Sequence, residues 1–179
     1  MGYVMEKFYI LLISCFFVNT TYAQAKLDVF DIGRKGTIGE AKELFKTNPQ
    51  VFNTTNQDGF SPLILACYRG NNEVAKFLIE NGSDINGSSN MGTALMAAVV
   101  KGNFEIVKLL LSKKADANIA DANGTTALIY ATMFKNYAIA DLLIKAKANP
   151  DFKDNRGNSA TDYAILANDD KLIEILKTK

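Results

Sequence analysis

Residues 102–111 read Gly-Asn-Phe-Glu-Ile-Val-Lys-Leu-Leu-Leu, and this stretch decides the fold. Ile106 and Leu110 lie four residues apart, the spacing that places two apolar side chains on one face of a helix. The same pair of apolar positions recurs along the chain at Val74 and Leu78, Ile139 and Leu143, and Leu172 and Leu176. Because the intervals are 32 or 33 residues, the chain is built from a repeated unit.

Three further columns of residues keep the same register on either side of this helix. They are the Ser/Thr column Ser61, Thr93, Thr126 and Ser159, the alanine column Ala66, Ala98, Ala131 and Ala164, and the polar turn column Asn53, Asn86, Asn118 and Asp151. The single interval of 32 residues reflects one residue missing between Asn86 and Thr93. A period of about 20–50 residues indicates a solenoid of stacked repeats.

The unit at residues 57–88 indicates what each repeat forms. Ser61 is a helix N-cap, and Pro62 stands at the first helical position, where its missing N–H is not needed. Gly70 turns the chain into a second helix, which Gly82 ends in the left-handed conformation. Since one such helix pair cannot bury its apolar stripe alone, the units must stack and share a core.

These motifs resemble the ankyrin repeat. Residues 59–70 follow the family's G-x-T-P-L-x-x-A-x-x-x-G, residues 102–111 its G-x-x-E-I-V-x-x-L-L, and residues 115–118 its A-D-x-N. The resemblance implies an all-α ankyrin-repeat solenoid of about five stacked helix–turn–helix units within a domain at residues 24–179. The expected units are 26–56, 57–88, 89–121, 122–154 and 155–179.

Three departures from the family pattern affect what we expect of this chain. The histidine of its T-P-L-H motif is replaced by Ile64, Met96, Ile129 and Asp162. The glycine that ends the second helix, kept at Gly82, becomes Lys114 and Lys147. A left-handed non-glycine residue costs about 1 kcal/mol, so we predict softer joints after units three and four. In the last unit, Lys171, Glu174, Lys177 and Lys179 are expected to give the terminal helix a polar outer face, as a solenoid end requires.

Composition excludes several classes of function. The 179 residues carry 20 Lys+Arg and 19 Asp+Glu, and the net charge of +1 argues against nucleic-acid binding. The chain has no histidine, which excludes Ser-His-Asp and Cys-His nucleophiles and the H-E-x-x-H metal motif. The 48% hydrophobic content is that of a folded protein.

The remaining reactive groups have structural explanations. We interpret Cys67 as a core thiol, and Asp169 with Asp170 as stabilising the N-terminus of the last helix. The pairs Asp116 and Asp121, and Asp151 and Asp154, are too few for a calcium site, and Gly33, Gly36 and Gly39 lack the spacing of a phosphate loop. We therefore expect no catalytic residue, no metal and no cofactor.

The first 23 residues have the pattern of a secretory signal peptide. The apolar run 8–18 is shorter than the roughly 20 residues that span a bilayer, and Thr21 and Ala23 suit a cleavage site. Two alternatives remain, a lipoprotein anchored through Cys15 and an uncleaved anchor. In each case the folded part is exported to the periplasm or secreted, and no membrane span is expected in the mature chain. Glycosylation sequons on tight turns, such as Asn123-Gly124-Thr125, favour a bacterial source.

The function implied by the resemblance is non-catalytic binding of another protein, of unknown identity, through a concave face of turn tips and first-helix ends. The candidate contacts are Gln57, Asp58, Phe60, Tyr68, Arg69, Val100, Lys101, Asn123, Thr125, Met133, Phe134, Arg156, Asn158 and Leu166. Tyr68, Val100, Met133 and Leu166 form an apolar column, which either marks a contact site or tucks under the turns to close the core. Alternative functions are a secreted effector or immunity-type binder, and an enzyme of unrecognised type.

Overall fold

The structure is a computed structural model that describes residues 28–177. The expected signal peptide at residues 1–23, the alternative lipid anchor at Cys15 and the terminal Lys179 lie outside the described residues.

Between residues 28 and 177 the chain forms ten α-helices in five consecutive pairs, which confirms the all-α repeat solenoid. The pairs are α1 (Val29–Lys35) with α2 (Ile38–Thr47), α3 (Pro62–Arg69) with α4 (Asn72–Glu80), α5 (Ala94–Val100) with α6 (Phe104–Ser112), α7 (Ala127–Met133) with α8 (Tyr137–Lys145), and α9 (Ala160–Leu166) with α10 (Asp170–Lys177). A 3₁₀-helix, Pro49–Asn53, follows α2.

The helices stack in two layers. The first helices of the pairs, α1, α3, α5, α7 and α9, each pack against the next in one layer, and α2, α4, α6, α8 and α10 do the same in the other. The alanine column Ala66, Ala98, Ala131 and Ala164 is fully buried at equivalent places in four successive units. Small side chains there allow the layers to approach, so the core is continuous along the stack.

The Ser/Thr column caps the first helices. The side-chain oxygen of Ser61 accepts a hydrogen bond from the backbone N–H of Ile64 at 3.2 Å, and Pro62 is the first residue of α3, as predicted. Thr93, Thr126 and Ser159 cap α5, α7 and α9 in the same way. Each cap satisfies a backbone donor that the helix leaves unpaired, and so fixes where the helix begins.

Close packing explains a glycine of the first unit. A Cβ atom on Gly33 would lie 2.6 Å from the carbonyl oxygen of Pro62, so only glycine lets α1 lie this close to α3. The side-chain amide of Asn71 donates to the carbonyl oxygen of Gly36 at 2.8 Å and ties the end of α1 to the next unit. Gly33 therefore serves the packing of the first joint, and the backbone carbonyl of Gly36 accepts a hydrogen bond across it.

The third unit departs from a purely helical unit. Where the sequence lacks one residue, strand β1 (Ser88–Ser89) pairs antiparallel with strand β2 (Gly92–Thr93) in a short hairpin before α5. The repeat register locates the deletion in the sequence but does not predict this hairpin. It shortens the turn and leaves Met91 at the tip, 61% exposed.

The last unit exposes both polar and apolar side chains. Lys171, Glu174 and Lys177 are exposed on α10, as expected of an end cap. However, Ile165 on α9 is 56% exposed, although the equivalent Val99 is buried under the following unit. Ile165 is exposed because no further helix of the described chain covers α9, whereas the predicted polar face of the terminal helix is present at Lys171, Glu174 and Lys177.

Candidate protein-binding surface

The exposed ends of the first helices carry a continuous apolar column. Tyr68, Val100, Met133 and Leu166 are 40%, 39%, 46% and 72% exposed. In α3, Cys67 is buried although it directly precedes Tyr68, because successive helical side chains point about 100° apart. The alternative in which the column closes the core is therefore wrong. Together with the turn tips that precede the first helices, this column forms what we call the turn-tip face.

Three of the turn tips are each held by hydrogen bonds between the tip's own backbone and an Asp or Asn side chain of the same turn. In the last unit, a carboxylate oxygen of Asp154 accepts hydrogen bonds from the backbone N–H groups of Arg156 at 2.9 Å and Asn158 at 3.0 Å. Asp121 holds Asn123 and Thr125 in the same way, and Asn56 holds Asp58 and Phe60. These bonds fix the backbone of the residues that the sequence predicted at the tips.

Two tyrosines brace the acidic turns. The hydroxyls of Tyr130 and Tyr163 donate to the second carboxylate oxygens of Asp121 and Asp154, each at 2.7 Å. The hydrogen bond from Tyr163 is the main reason that the pKa of Asp154 lies below its usual value. Burial, followed by the bond to Asp121, raises the pKa of Tyr130 to about 12. From the sequence these aspartates are considered only as calcium ligands, and their tyrosine partners are not predicted, although the nine-residue spacing is the same in both units.

Successive tips are also bonded to one another. The backbone N–H of Asn155 donates to the carbonyl oxygen of Asn123 at 2.9 Å, and its side chain donates to the carbonyl oxygen of Ala122 at 3.1 Å. The N–H of Ala122 in turn donates to the carbonyl oxygen of Asn90 at 3.2 Å. The tips of three consecutive units are therefore held in fixed relative positions.

The turn-tip face has a groove at each end. The groove between the first units has a volume of about 230 Å³ and contains four predicted residues, Asp58, Phe60, Tyr68 and Arg69. It also contains Arg34, Asn56, Leu65 and Met91, which the sequence analysis missed. Arg34 lies on a helix without the family's motif, and Met91 follows the deletion in the third unit. The sequence did offer one indication that Met91 belongs to the binding surface, because it is a large apolar residue at a turn tip.

The second groove lies between the last two units and is more polar. It has a volume of about 280 Å³, and Asn123, Thr125, Met133 and Arg156 are the predicted residues that line it. The structure adds Tyr130, Asp154, Asn155 and Tyr163. Thr125 is only 8% exposed and its backbone N–H is held by the turn, so it offers less surface to a partner than the other residues of this groove.

The other predicted residues flank the two grooves. Gln57 is exposed at the first tip, and Asn158 is half-buried at the last. Phe134 is 55% exposed and stacks on Tyr130, with ring centroids 6.2 Å apart. Lys101 extends beside Val100 towards the first groove, where its Nζ lies 5.3 Å from the ring centroid of Tyr68.

The reactive groups that the sequence assigned to structural roles occupy those roles. Cys67 is buried in the core, and this burial raises the pKa of its thiol to about 12, which keeps it protonated and unreactive. A carboxylate oxygen of Asp169 accepts a hydrogen bond from the N–H of Leu172 at 3.1 Å and caps α10. Over residues 28–177, no cluster of three acidic or cysteine side chains could hold a metal ion, and no helix is long and apolar enough to cross a membrane.

Stacked helix pairs with ordered turn tips define a helical repeat scaffold. The chain matches the family described as ankyrin repeats (3 copies) over residues 34–121 and 113–179, and it belongs to that family. It is 37% identical over 110 residues to ankyrin repeat and SAM domain-containing protein 6 of Rattus norvegicus, covering 60% of this chain and 12% of that protein. It is 42% identical over 67 residues to the E3 ubiquitin-protein ligase XBAT33 of Arabidopsis thaliana, covering 36% of this chain and 13% of that protein.

The matches therefore span about one-eighth of these relatives. These matches support the repeat scaffold, and they do not extend over the rest of either relative. Ankyrin repeats generally bind proteins, and the family is generally non-catalytic, so the repeats suggest a protein–protein interaction module.

Proposed function

We propose that this protein binds a partner protein through its turn-tip face, without catalysis, in the periplasm or outside the cell. The observation that carries the proposal is the exposed column Tyr68, Val100, Met133 and Leu166, which runs between two grooves. Apolar side chains exposed in a column on a folded protein favour a contact site, and Tyr and Arg are frequent interface anchors.

The rigidity of the face supports the same conclusion. Because Asn123 and Asn155 are bonded across neighbouring tips, the contact residues are ordered before any partner arrives. A preformed surface loses little conformational entropy on binding, so more of the contact energy is available as affinity. The face that the family resemblance makes concave is thus also ordered before binding.

Photo-crosslinking in the native cell tests the proposal. The full chain is expressed with a photoreactive amino acid in place of Met133 on the turn-tip face, or in place of Lys108, which is exposed on α6 in the other layer. We expect one protein to be crosslinked from position 133 and not from position 108. Equal crosslinking from both positions would show that the face has no special role.

A second experiment uses substitutions that leave the core intact. Tyr68→Ala and Phe134→Ala remove exposed rings, so the helical circular-dichroism signal should remain while capture of the crosslinked partner weakens. Lys108→Ala is the matched surface control and should bind as the unaltered chain does. Undiminished capture by both ring variants would locate the interface elsewhere.

The proposed export is tested by mass spectrometry of the mature N-terminus. A chain beginning at Gln24 in the periplasm or medium supports signal-peptide cleavage after Ala23. A lipid-modified N-terminal Cys15 supports the lipoprotein alternative, and an intact N-terminus in the cytosol contradicts export.

A further inference from the structure

Two cations share one aromatic ring at the edge of the first groove. The guanidinium carbon of Arg69 lies 5.9 Å from the ring centroid of Tyr68, and the Nζ of Lys101, from the next unit, lies 5.3 Å from it. The negative face of an aromatic ring attracts cations at such distances. Tyr68 therefore holds two positive charges beside the groove, although like charges repel.

Neither cation is neutralised by an acidic side chain of the described chain. The ion pairs between residues 28 and 177 are Arg34–Asp31, Lys46–Glu43, Lys135–Asp169 and Lys145–Asp141. Arg34 also lines the groove, but its charge is offset by Asp31 at 3.0 Å. Asp58 is the acidic side chain of the groove lining, so the groove and its rim keep an excess of positive charge.

The floor of the same groove is apolar. Leu65 is buried beneath it, Phe60 is half-buried, and Met91 is exposed at its side. Its volume of about 230 Å³ is below the roughly 300–1,000 Å³ of small-molecule sites, and it suits one or two side chains of a polypeptide.

We propose that this groove receives a partner segment in which a large apolar side chain adjoins Asp or Glu. This inference rests on the proposed function, because it specifies the chemistry of the protein bound there. The apolar side chain contacts Phe60, Leu65 and Met91, and the carboxylate lies between Arg69 and Lys101, where it pairs with both and offsets one of their two positive charges. A peptide carboxylate suits the site better than a polyanion, since two free cations provide few phosphate contacts and Asp58 would repel a dianion.

Selection from a displayed library of random seven-residue peptides tests the inference. The full chain is compared with the double variant Arg69→Glu/Lys101→Glu and with the control Lys108→Glu/Lys113→Glu. The control makes the same change in net charge at exposed positions of the other layer. We expect the unaltered chain and the control to enrich acidic residues next to Leu, Phe or Met, and the double variant to lose that preference.

Binding of a selected, labelled peptide is then measured by fluorescence anisotropy. We expect roughly tenfold weaker binding to the double variant, a similar loss when the peptide's Asp or Glu becomes Asn or Gln, and weaker binding at higher salt. Tighter binding of the same peptide with phosphoserine at that position would overturn the choice of a carboxylate.

The outcomes separate this inference from the proposed function. Peptides that bind without acidic residues, yet lose binding on Tyr68→Ala, would overturn the acidic segment and leave the turn-tip face as the interface. Peptides that bind equally well to Tyr68→Ala, Phe134→Ala and the unaltered chain would contradict both.

Discussion

The side-chain oxygen of Asn86 accepts a hydrogen bond from the backbone N–H of Asp116, in the following unit, at 2.9 Å. The same bond recurs at the joints before and after it, between Asn53 and Asp84 at 2.9 Å and between Asn118 and Asn149 at 2.7 Å. The sequence showed this column only as polar turn residues. The structure shows that the three asparagines of the column each link one unit to the next, whereas Asp151 instead accepts a hydrogen bond from the hydroxyl of Thr161 at 3.2 Å.

We predict that Asn86→Ala lowers the free energy of unfolding by about 1 kcal/mol, the usual contribution of one hydrogen bond. Asn86→Asp keeps an acceptor oxygen at the same position and should cost less. Urea denaturation measures both values. A loss as large for Asp as for Ala would show that the bond to Asp116 is not the cause.

The lysines that replace glycine at the ends of α6 and α8 are strained, as the sequence indicated. Lys114 and Lys147 have φ of 68° and 65°, close to the 84° of Gly82. We predict that Lys114→Gly raises the free energy of unfolding by about 1 kcal/mol, since glycine adopts this conformation without a steric penalty.

Lys113→Gly is the matched control for that substitution. Lys113 is the adjacent lysine but has φ of −91°, so glycine there relieves nothing and should reduce stability slightly. Hydrogen exchange tests the predicted softness of the joints, because amides after α6 should exchange faster than those after α4 and slow down in Lys114→Gly. Equal exchange after both helices would contradict that prediction.

The sequence was sufficient for the contacts that every unit repeats and insufficient for those that depend on how a helix ends or a turn folds. Ala98 and Val99 could be assigned to the core because each repeat must present the same surface to its neighbours. The apolar Val100 could not be assigned, since its exposure depends on where the helix ends. Tyr130 and Asp121 were not paired in advance because their contact depends on how the turn folds back over the first helix.

The exposed Ile165 provides a comparison within one column of the repeat. Val99 and Ile165 occupy the same position in their units, but Val99 is 2% exposed because the next unit covers it. We predict that Val99→Ala costs about 2 kcal/mol, through lost burial and a cavity, and that Ile165→Ala costs less than about 0.5 kcal/mol. Similar losses from both substitutions would show that Ile165 is covered in solution.

The acidic turns make the last two units sensitive to low pH. The pKa of Asp154 is lowered, mainly by the Tyr163 hydroxyl, and backbone N–H groups at helix N-termini lower those of Asp162 and Asp169. A lowered native pKa gives stability that is present above the unfolded pKa of about 3.9 and is lost as pH falls through the native value. We therefore expect the midpoint temperature of thermal unfolding to decrease as the pH is lowered below about 4. This decrease with pH should be less steep in Tyr163→Phe than in the unaltered chain. Equally steep falls would show that the Tyr163 bond has no part in the acid response.

The buried thiol of Cys67 predicts a loss of stability at alkaline pH. Burial raises its native pKa to about 12, whereas a cysteine in the unfolded chain has a pKa of about 8.5. A raised native pKa gives stability that is complete below the unfolded value and is lost as pH rises towards the native one, because only the unfolded chain releases the proton. Between pH 7.5 and 9.5 the loss should be about 1.4 kcal/mol.

Cys67→Ala isolates this effect from all other titrations. The variant should be less stable at pH 7.5 because it leaves a small cavity, but it has no thiol to ionise. The stability difference between the two proteins, measured by urea denaturation with a reductant present, should therefore narrow by about 1.4 kcal/mol as pH rises from 7.5 to 9.5. The other ionisable groups are common to both proteins, so their contributions cancel in this difference. A difference that stays constant with pH would mean that Cys67 is as accessible to hydroxide in the folded protein as in the unfolded chain, which contradicts its position in the core.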